Sequence, residues 1–194
     1  GLLLYLGLPT NGPRIGSYAN PKVAVLVVDI QEDYTGPNAR RPYRDGTKIV
    51  QATNSLIGQA QEHGALVGYV ANVFENPVIR LVTGGINAPG APGTEIDARI
   101  TRLPGAPTFK KGRGDAFSNP ALDAWLRQNQ VDRLVIVGLD AAHCVNATTR
   151  GALNRGYQVT LVTDGIATES RRTLEDLARE WQAAGAVVRS SMEW

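Results

Sequence analysis

The chain has a single cysteine, Cys144, and its neighbours give that thiol a possible chemistry. Gly138-Leu-Asp-Ala-Ala-His-Cys-Val145 follows an apolar run and leads into helical spacing, so Cys144 is predicted at a turn-to-helix junction. Unpaired N–H groups and the positive end of the helix dipole favour thiolate there. A free cysteine, with a pKa of about 8.5, is only a few per cent ionised near neutral pH, so such a setting would activate it. An inert buried cysteine is the plain alternative. Two further residues suit the nucleophilic reading. Asp29 closes the apolar run after Lys22; a partly buried carboxyl there would take the thiol proton and return it to a leaving group. Lys111, or its neighbour Lys110, would set a positive charge beside both. Backbone N–H groups between Leu139 and Cys144 would converge on a developing oxyanion. Taken singly, Asp29 reads as a strand-end cap and Lys111 as a solvated surface charge. Of the two histidines, His63 reads as a helix terminator, and His143 is expected to point away from its neighbour Cys144.

Those groups act together only if the elements bearing them end at one place. Strands are predicted at Lys22–Asp29, Ala65–Val73, Pro107–Lys111, Leu134–Val137, Gln158–Thr163 and Ala186–Arg189, each a short apolar run bounded by turn residues. Between them fall helices at Gly46–His63, Asn119–Gln130 (Asn119 as cap, Pro120 in the first turn), Ala142–Asn154 and Ser170–Ala184, with a helical turn at Val78–Val82. Strand-helix alternation without hairpin signals predicts a three-layer α/β domain on a mainly parallel sheet of about six strands. Right-handed crossovers bring every strand's C-terminal end to one edge, where such sheets bind ligands. Asp29, Lys110 or Lys111, and Cys144 all map there. Residues 1–21 read as an N-terminal extension and 22–194 as one domain, with no internal repeat. The glycine- and proline-rich stretch 84–107 is longer than a simple connector needs, which suggests a lid or binding loop.

Composition narrows the chemistry. The chain is 43% hydrophobic and 20% charged over 194 residues, a globular balance with material for a real core. A net charge of +2, with basic residues scattered, gives no footprint for nucleic acid. One cysteine excludes an internal disulfide and leaves no partner for redox cycling; no Cys/His cluster points to zinc. Neither a dinucleotide fingerprint nor a P-loop is present, and a serine triad lacks its G-x-S-x-G. The opening Gly1-Leu-Leu-Leu-Tyr-Leu-Gly-Leu8 is apolar but far short of the roughly 20 residues that span a bilayer. It reads either as the end of a removed anchor or signal or as a segment packing on the domain or a partner. Membrane contact is expected only in the first case, and the compartment is otherwise cytoplasmic by default.

Three ordered segments resemble the isochorismatase-like cysteine hydrolases, which include nicotinamidases and N-carbamoylsarcosine amidohydrolase. Asp29-Ile-Gln31-Glu-Asp-Tyr34 is similar to the family's D-x-Q-x-x-[FY], and Lys111 to Phe117 to its K-x5-F, a register that selects Lys111 over Lys110. Gly138 to Val145 is similar to its glycine, nucleophile and valine. The likeness runs from about Lys22 to Val188. It implies a Cys144-Asp29-Lys111 triad, a cis peptide between Leu139 and Asp140, and an oxyanion hole from the N–H groups of Asp140 and Cys144. Asp140 departs from the small or hydroxylated residue often found at its position. Where nicotinamidases carry a metal-binding Asp and paired histidines, this chain has Ala71-Asn-Val-Phe-Glu-Asn-Pro77, so neither metal nor cofactor is expected. The resemblance implies hydrolysis of a small amide-like C–N bond through a thioester on Cys144, with a homo-oligomer (dimer or tetramer) and a small-molecule substrate. Ester, hydrazide or vinyl-ether hydrolysis, or an idle binding protein of the same fold, are the alternatives. Gln31, Tyr34, Arg113 and Phe117 are the candidate substrate-binding residues, Arg113 for a substrate carboxylate.

Overall fold

The structure, a computed structural model, describes residues 7–191; expectations attached to residues 1–6 lie outside that range. Six strands, β1 (Lys22–Val28), β2 (Leu66–Asn72), β3 (Thr108–Lys111), β4 (Val131–Gly138), β5 (Gln158–Ile166) and β6 (Val187–Arg189), form one sheet in the order β3-β2-β1-β4-β5-β6. Every pairing between them is parallel. Strand order reverses between β1 and β4, so the crevice beyond their C-terminal ends is where this architecture binds ligands.

Alternate residues of the strands feed two cores. Ala24, Leu26 and Val28 of β1 face one side and Val25 and Val27 the other, all fully buried. Each buried Val or Leu side chain contributes roughly 1.5–3 kcal/mol. The first core is closed by α3 (Pro120–Gln128), α4 (Cys144–Asn154) and α5 (Leu174–Ala183), through Leu122, Leu126, Val145, Ala152, Leu177 and Trp181. The second is closed by α1 (Gly46–Glu62), through Ile49, Val50, Leu56, Ile57 and Ala60. A short helix α2 (Pro77–Val82) follows β2, capped by Asn76. No helix among the described residues is long and apolar enough to cross a membrane.

Several boundaries differ from the sequence reading for physical reasons. β4 begins at Val131 rather than Leu134, because Val131 is itself buried and pairs with Lys22. α5 begins at Leu174, not Ser170, because the Thr173 hydroxyl accepts the N–H of Asp176 at 3.1 Å and caps it. The segment 84–107 is not an open lid. Ile96 and Ile100 are buried in the second core, and Tyr69 bonds both the carbonyl of Thr101 and the N–H of Leu103. The stretch ahead of β1 wraps the surface: Thr10 donates its N–H and hydroxyl to buried Asp115, and Arg155 donates to the carbonyls of Thr10 and Asn11.

Candidate active site

Three strand ends and one helix start converge at the crevice. Asp29 follows β1 in the left-handed region, with φ 55°, a conformation that aspartate tolerates better than most residues. Its N–H donates to Val70 O at 2.9 Å, fixing it against β2. Gly138 ends β4 at φ 131°, and a Cβ there would lie 1.9 Å from Val28 O. Only glycine allows that approach, and the next residue uses it: Leu139 N–H donates to Val28 O at 2.9 Å. The Asp29 loop and the Cys144 loop are thereby joined at the strand-order reversal.

Lys111, the last residue of β3, is buried and donates from Nζ to Asp29 Oδ2 at 2.8 Å and to Cys144 Sγ at 3.4 Å. The structure therefore brings together the three residues that sequence singled out. Burial pushes the Asp29 carboxyl up, and Lys111 opposes that shift without cancelling it. Burial also pushes the Cys144 thiol up, to about 12, with Lys111 pulling it down and Asp29 adding to the rise. Desolvation thus works against the thiolate that the helix N-terminus is expected to favour. Lys111 is raised, because attraction to Asp29 and Cys144 exceeds its own desolvation penalty. With lysine charged, the low-energy site holds one proton shared between Asp29 and Cys144, so its net charge is zero. Moving that proton from sulfur to carboxyl leaves the net charge unchanged, whereas losing it leaves an unbalanced buried anion. Apart from the thiol, Asp29 Oδ1 has no hydrogen-bond partner and is open to this transfer.

The turn before α4 accounts for its N–H groups selectively. Ala141 donates to Ala167 O, Ala142 to Asp140 Oδ1, and His143 and Val145 to Asp140 O. Among the described residues, the N–H groups of Asp140 and Cys144 have no acceptor. The peptide between Leu139 and Asp140 is cis. α4 starts at Cys144 rather than Ala142 because His143, at φ −120° and ψ −94°, is not helical. The Asp140 carboxylate holds two further loops: Oδ1 also accepts from Thr168 Oγ1 at 3.0 Å, and Oδ2 accepts from Tyr43 OH at 3.1 Å and Glu169 N at 2.9 Å.

A cleft of about 430 Å³ opens over the sulfur, lined by Asp29, Tyr34, Tyr43, Asn72, Asp140 and Cys144, with Arg41, His143 and Glu169 among its other lining groups. Tyr34 thus reaches the expected place; its hydroxyl accepts from Asn87 Nδ2 at 2.7 Å, and burial lifts the phenol to about 12. Gln31 does not. It is fully buried, and its amide clamps the backbone of Asn72 and the carbonyl of Thr94. Phe117 also lies elsewhere, in the first core between the Tyr157 ring (5.6 Å) and the Arg155 guanidinium (4.7 Å), where it anchors the segment after Lys111. Arg113 is not among the lining residues of the cleft. His143 does line it, yet makes no hydrogen bond to Asp29 or Cys144 among the described residues. Sequence reasoning missed Asn72, although a polar residue ending an apolar strand is the signal that found Asp29. Tyr43 and Glu169 sit in loops without periodicity and gave no signal. Among the described residues, no group of three or more His, Cys, Asp or Glu side chains is placed to hold a metal ion.

Residues 23–193 match the family described as "Isochorismatase domain". The chain belongs to the isochorismatase family. Within that family it is 32% identical over 148 residues to streptothricin hydrolase of Streptomyces noursei, an alignment covering 76% of this chain and 55% of that protein. The chain therefore spans little more than half the length of that relative. It is 26% identical to nicotinamidase of Escherichia coli (strain K12), covering 90% of this chain and 97% of that one. The solved structure of N-carbamoylsarcosine amidase from Thermoplasma acidophilum superposes with a TM-score of 0.77 at 29% identity, covering 88% of this chain and 96% of that chain.

Proposed function

We propose that this isochorismatase-family chain is a hydrolase of small amide-like C–N bonds that works through a thioester on Cys144. The observation that carries this reading is the Lys111 ammonium, 2.8 Å from Asp29 and 3.4 Å from the Cys144 sulfur at the strand-order reversal. The relatives' names, a hydrolase and two amidases, support the same bond class. Asp29 Oδ1 takes the thiol proton as Sγ attacks the carbonyl carbon. The N–H groups of Asp140 and Cys144 hold the resulting oxyanion. Asp29 then passes its proton to the leaving nitrogen, the C–N bond breaks, and an acyl thioester remains. Water, deprotonated by Asp29, attacks that thioester; the acid departs and Sγ regains its proton from Asp29. Lys111 stays charged throughout, so no step exposes two unbalanced anions.

The test is incubation with small primary amides, ureides and esters, following ammonia or acid release, with mass spectrometry of the rapidly quenched protein. Turnover with a transient acyl mass on the peptide holding Cys144, both abolished in Cys144→Ala, is the expected result. Turnover that survives Cys144→Ala refutes the thioester route.

A further inference from the structure

Asn72 ends β2, between the strands that deliver Asp29 and Lys111, and it pairs in register with Lys111. Registered partners on neighbouring parallel strands send their side chains to the same face. The Lys111 side chain goes to Asp29 and Cys144, so the Asn72 amide rises beside it and lines the cleft. Its backbone has no play: Gln31 Oε1 accepts its N–H at 2.9 Å, and Gln31 Nε2 donates to its carbonyl at 3.1 Å. The residue is only 8% exposed, and its side-chain Oδ1 is buried without a hydrogen-bond partner.

Asp29 lines the same cleft, with its Oδ1 set for the Cys144 thiol proton. A buried acceptor left without a donor costs about 1–3 kcal/mol, and native structures seldom keep one without a use for it. The Lys111 ammonium is committed to Asp29 Oδ2 and the sulfur. The donor for Asn72 Oδ1 then arrives with the substrate. Resting on the hydrolase reading above, we infer that Asn72 is a specificity-determining residue: its carbonyl oxygen accepts an N–H of the scissile group and selects carbamoyl substrates, primary amides or terminal ureides, over esters. The NH2 of such a group carries a donor for Asn72 Oδ1. An ester oxygen carries only lone pairs and would leave Asn72 Oδ1 unsatisfied. The Asn72 contact also turns the nitrogen lone pair toward Asp29 once that carboxyl has taken the thiol proton.

The experiment measures kcat/KM of the wild-type chain, Asn72→Ala and Asn72→Ser on the primary amide and the methyl ester of the same acids (glycolic, benzoic and nicotinic), with Cys144→Ala as the blank. Asn72→Ala should lose about 10- to 100-fold on the amides, the worth of one such hydrogen bond, and less than about threefold on the esters. Asn72→Ser, which keeps a short acceptor, should recover part of the amide loss. Equal losses on amide and ester, or an amide-to-ester ratio unmoved by Asn72→Ala, overturn the role of Asn72 and leave the hydrolase reading standing. A wild-type chain that opens no amide overturns the proposed function, and this inference with it.

Discussion

Replacing Lys111 by methionine separates the stability of the site from its chemistry. Lys111 and Asp29 lie 2.8 Å apart, and neither is more than 3% exposed. At an effective dielectric of about 20 their attraction is about 6 kcal/mol, against several kcal/mol of desolvation for each ion. The intact pair is close to neutral in net stability, while either ion alone is a liability. Lys111→Met keeps most of the apolar stem and removes only the compensating charge. It should destabilise the fold by about 3–5 kcal/mol, or roughly 6–20 °C in Tm for a domain of this size. Adding Asp29→Asn should restore most of that loss. Asparagine suits the position because it tolerates the φ of 55° found there.

The sign with pH follows from the Asp29 carboxyl, which burial already holds above its ordinary value of 3.8 and which loses its counterion in the variant. Below pH 3.8 the carboxyl is protonated in both the folded and unfolded chain, so Lys111→Met and the double variant should be equally stable. As pH rises from 3.8 through the raised folded value, the unfolded chain ionises first and the single variant weakens. Above that value the gap is constant. Urea melts of both variants across pH 3.5–8 read this directly. A gap that is flat with pH, or that widens on acidification, refutes the description of Asp29 and Lys111 as a compensated buried pair.

Three further predictions test other parts of the site. In the wild-type chain, kcat/KM should hold a broad plateau, its acid limb above the ordinary carboxylate value because burial raises Asp29, and its alkaline limb toward about 12 as the thiol proton is lost; a pH profile narrowing to a bell near neutrality contradicts this. Gly138→Ala sets a Cβ 1.9 Å from Val28 O at φ 131°, so β1 and β4 must separate where they carry Asp29 and the Cys144 loop. It should cost about 2 kcal/mol or more and about 100-fold in kcat, the usual consequence of displacement by an ångström; near-wild-type kinetics would refute the coupling. Asp140→Asn turns one of two acceptor oxygens into a donor, leaving either the Tyr43 and Glu169 pair or the Ala142 and Thr168 pair facing an N–H. A stability loss of about 1–3 kcal/mol with a kcat loss exceeding any change in KM is expected from urea melts and steady-state kinetics.

What the sequence discloses about this site follows from what kind of constraint each residue obeys. Asp29, Lys111 and Cys144 are placed by strand ends, and strand ends are legible because apolar runs stop where burial stops. Parallel topology then carries all three to one edge without any long-range contact having to be read. Gln31 and Phe117 share the same motifs but serve the scaffold: one clamps Asn72 and the other fills the first core behind Lys111. A motif records that a residue type is required, and it is silent on whether the requirement is chemical or mechanical. The electrostatics of Cys144 are equally hidden, since a helix N-terminus is visible in sequence whereas burial of the thiol depends on residues distant along the chain. The same holds for Asn72 and Asp140, whose importance lies in which hydrogen bonds are made and which are left open. Polarity at a strand end can therefore nominate a residue for the site, but only a full account of donors and acceptors separates a group that grips the substrate from one that holds the frame.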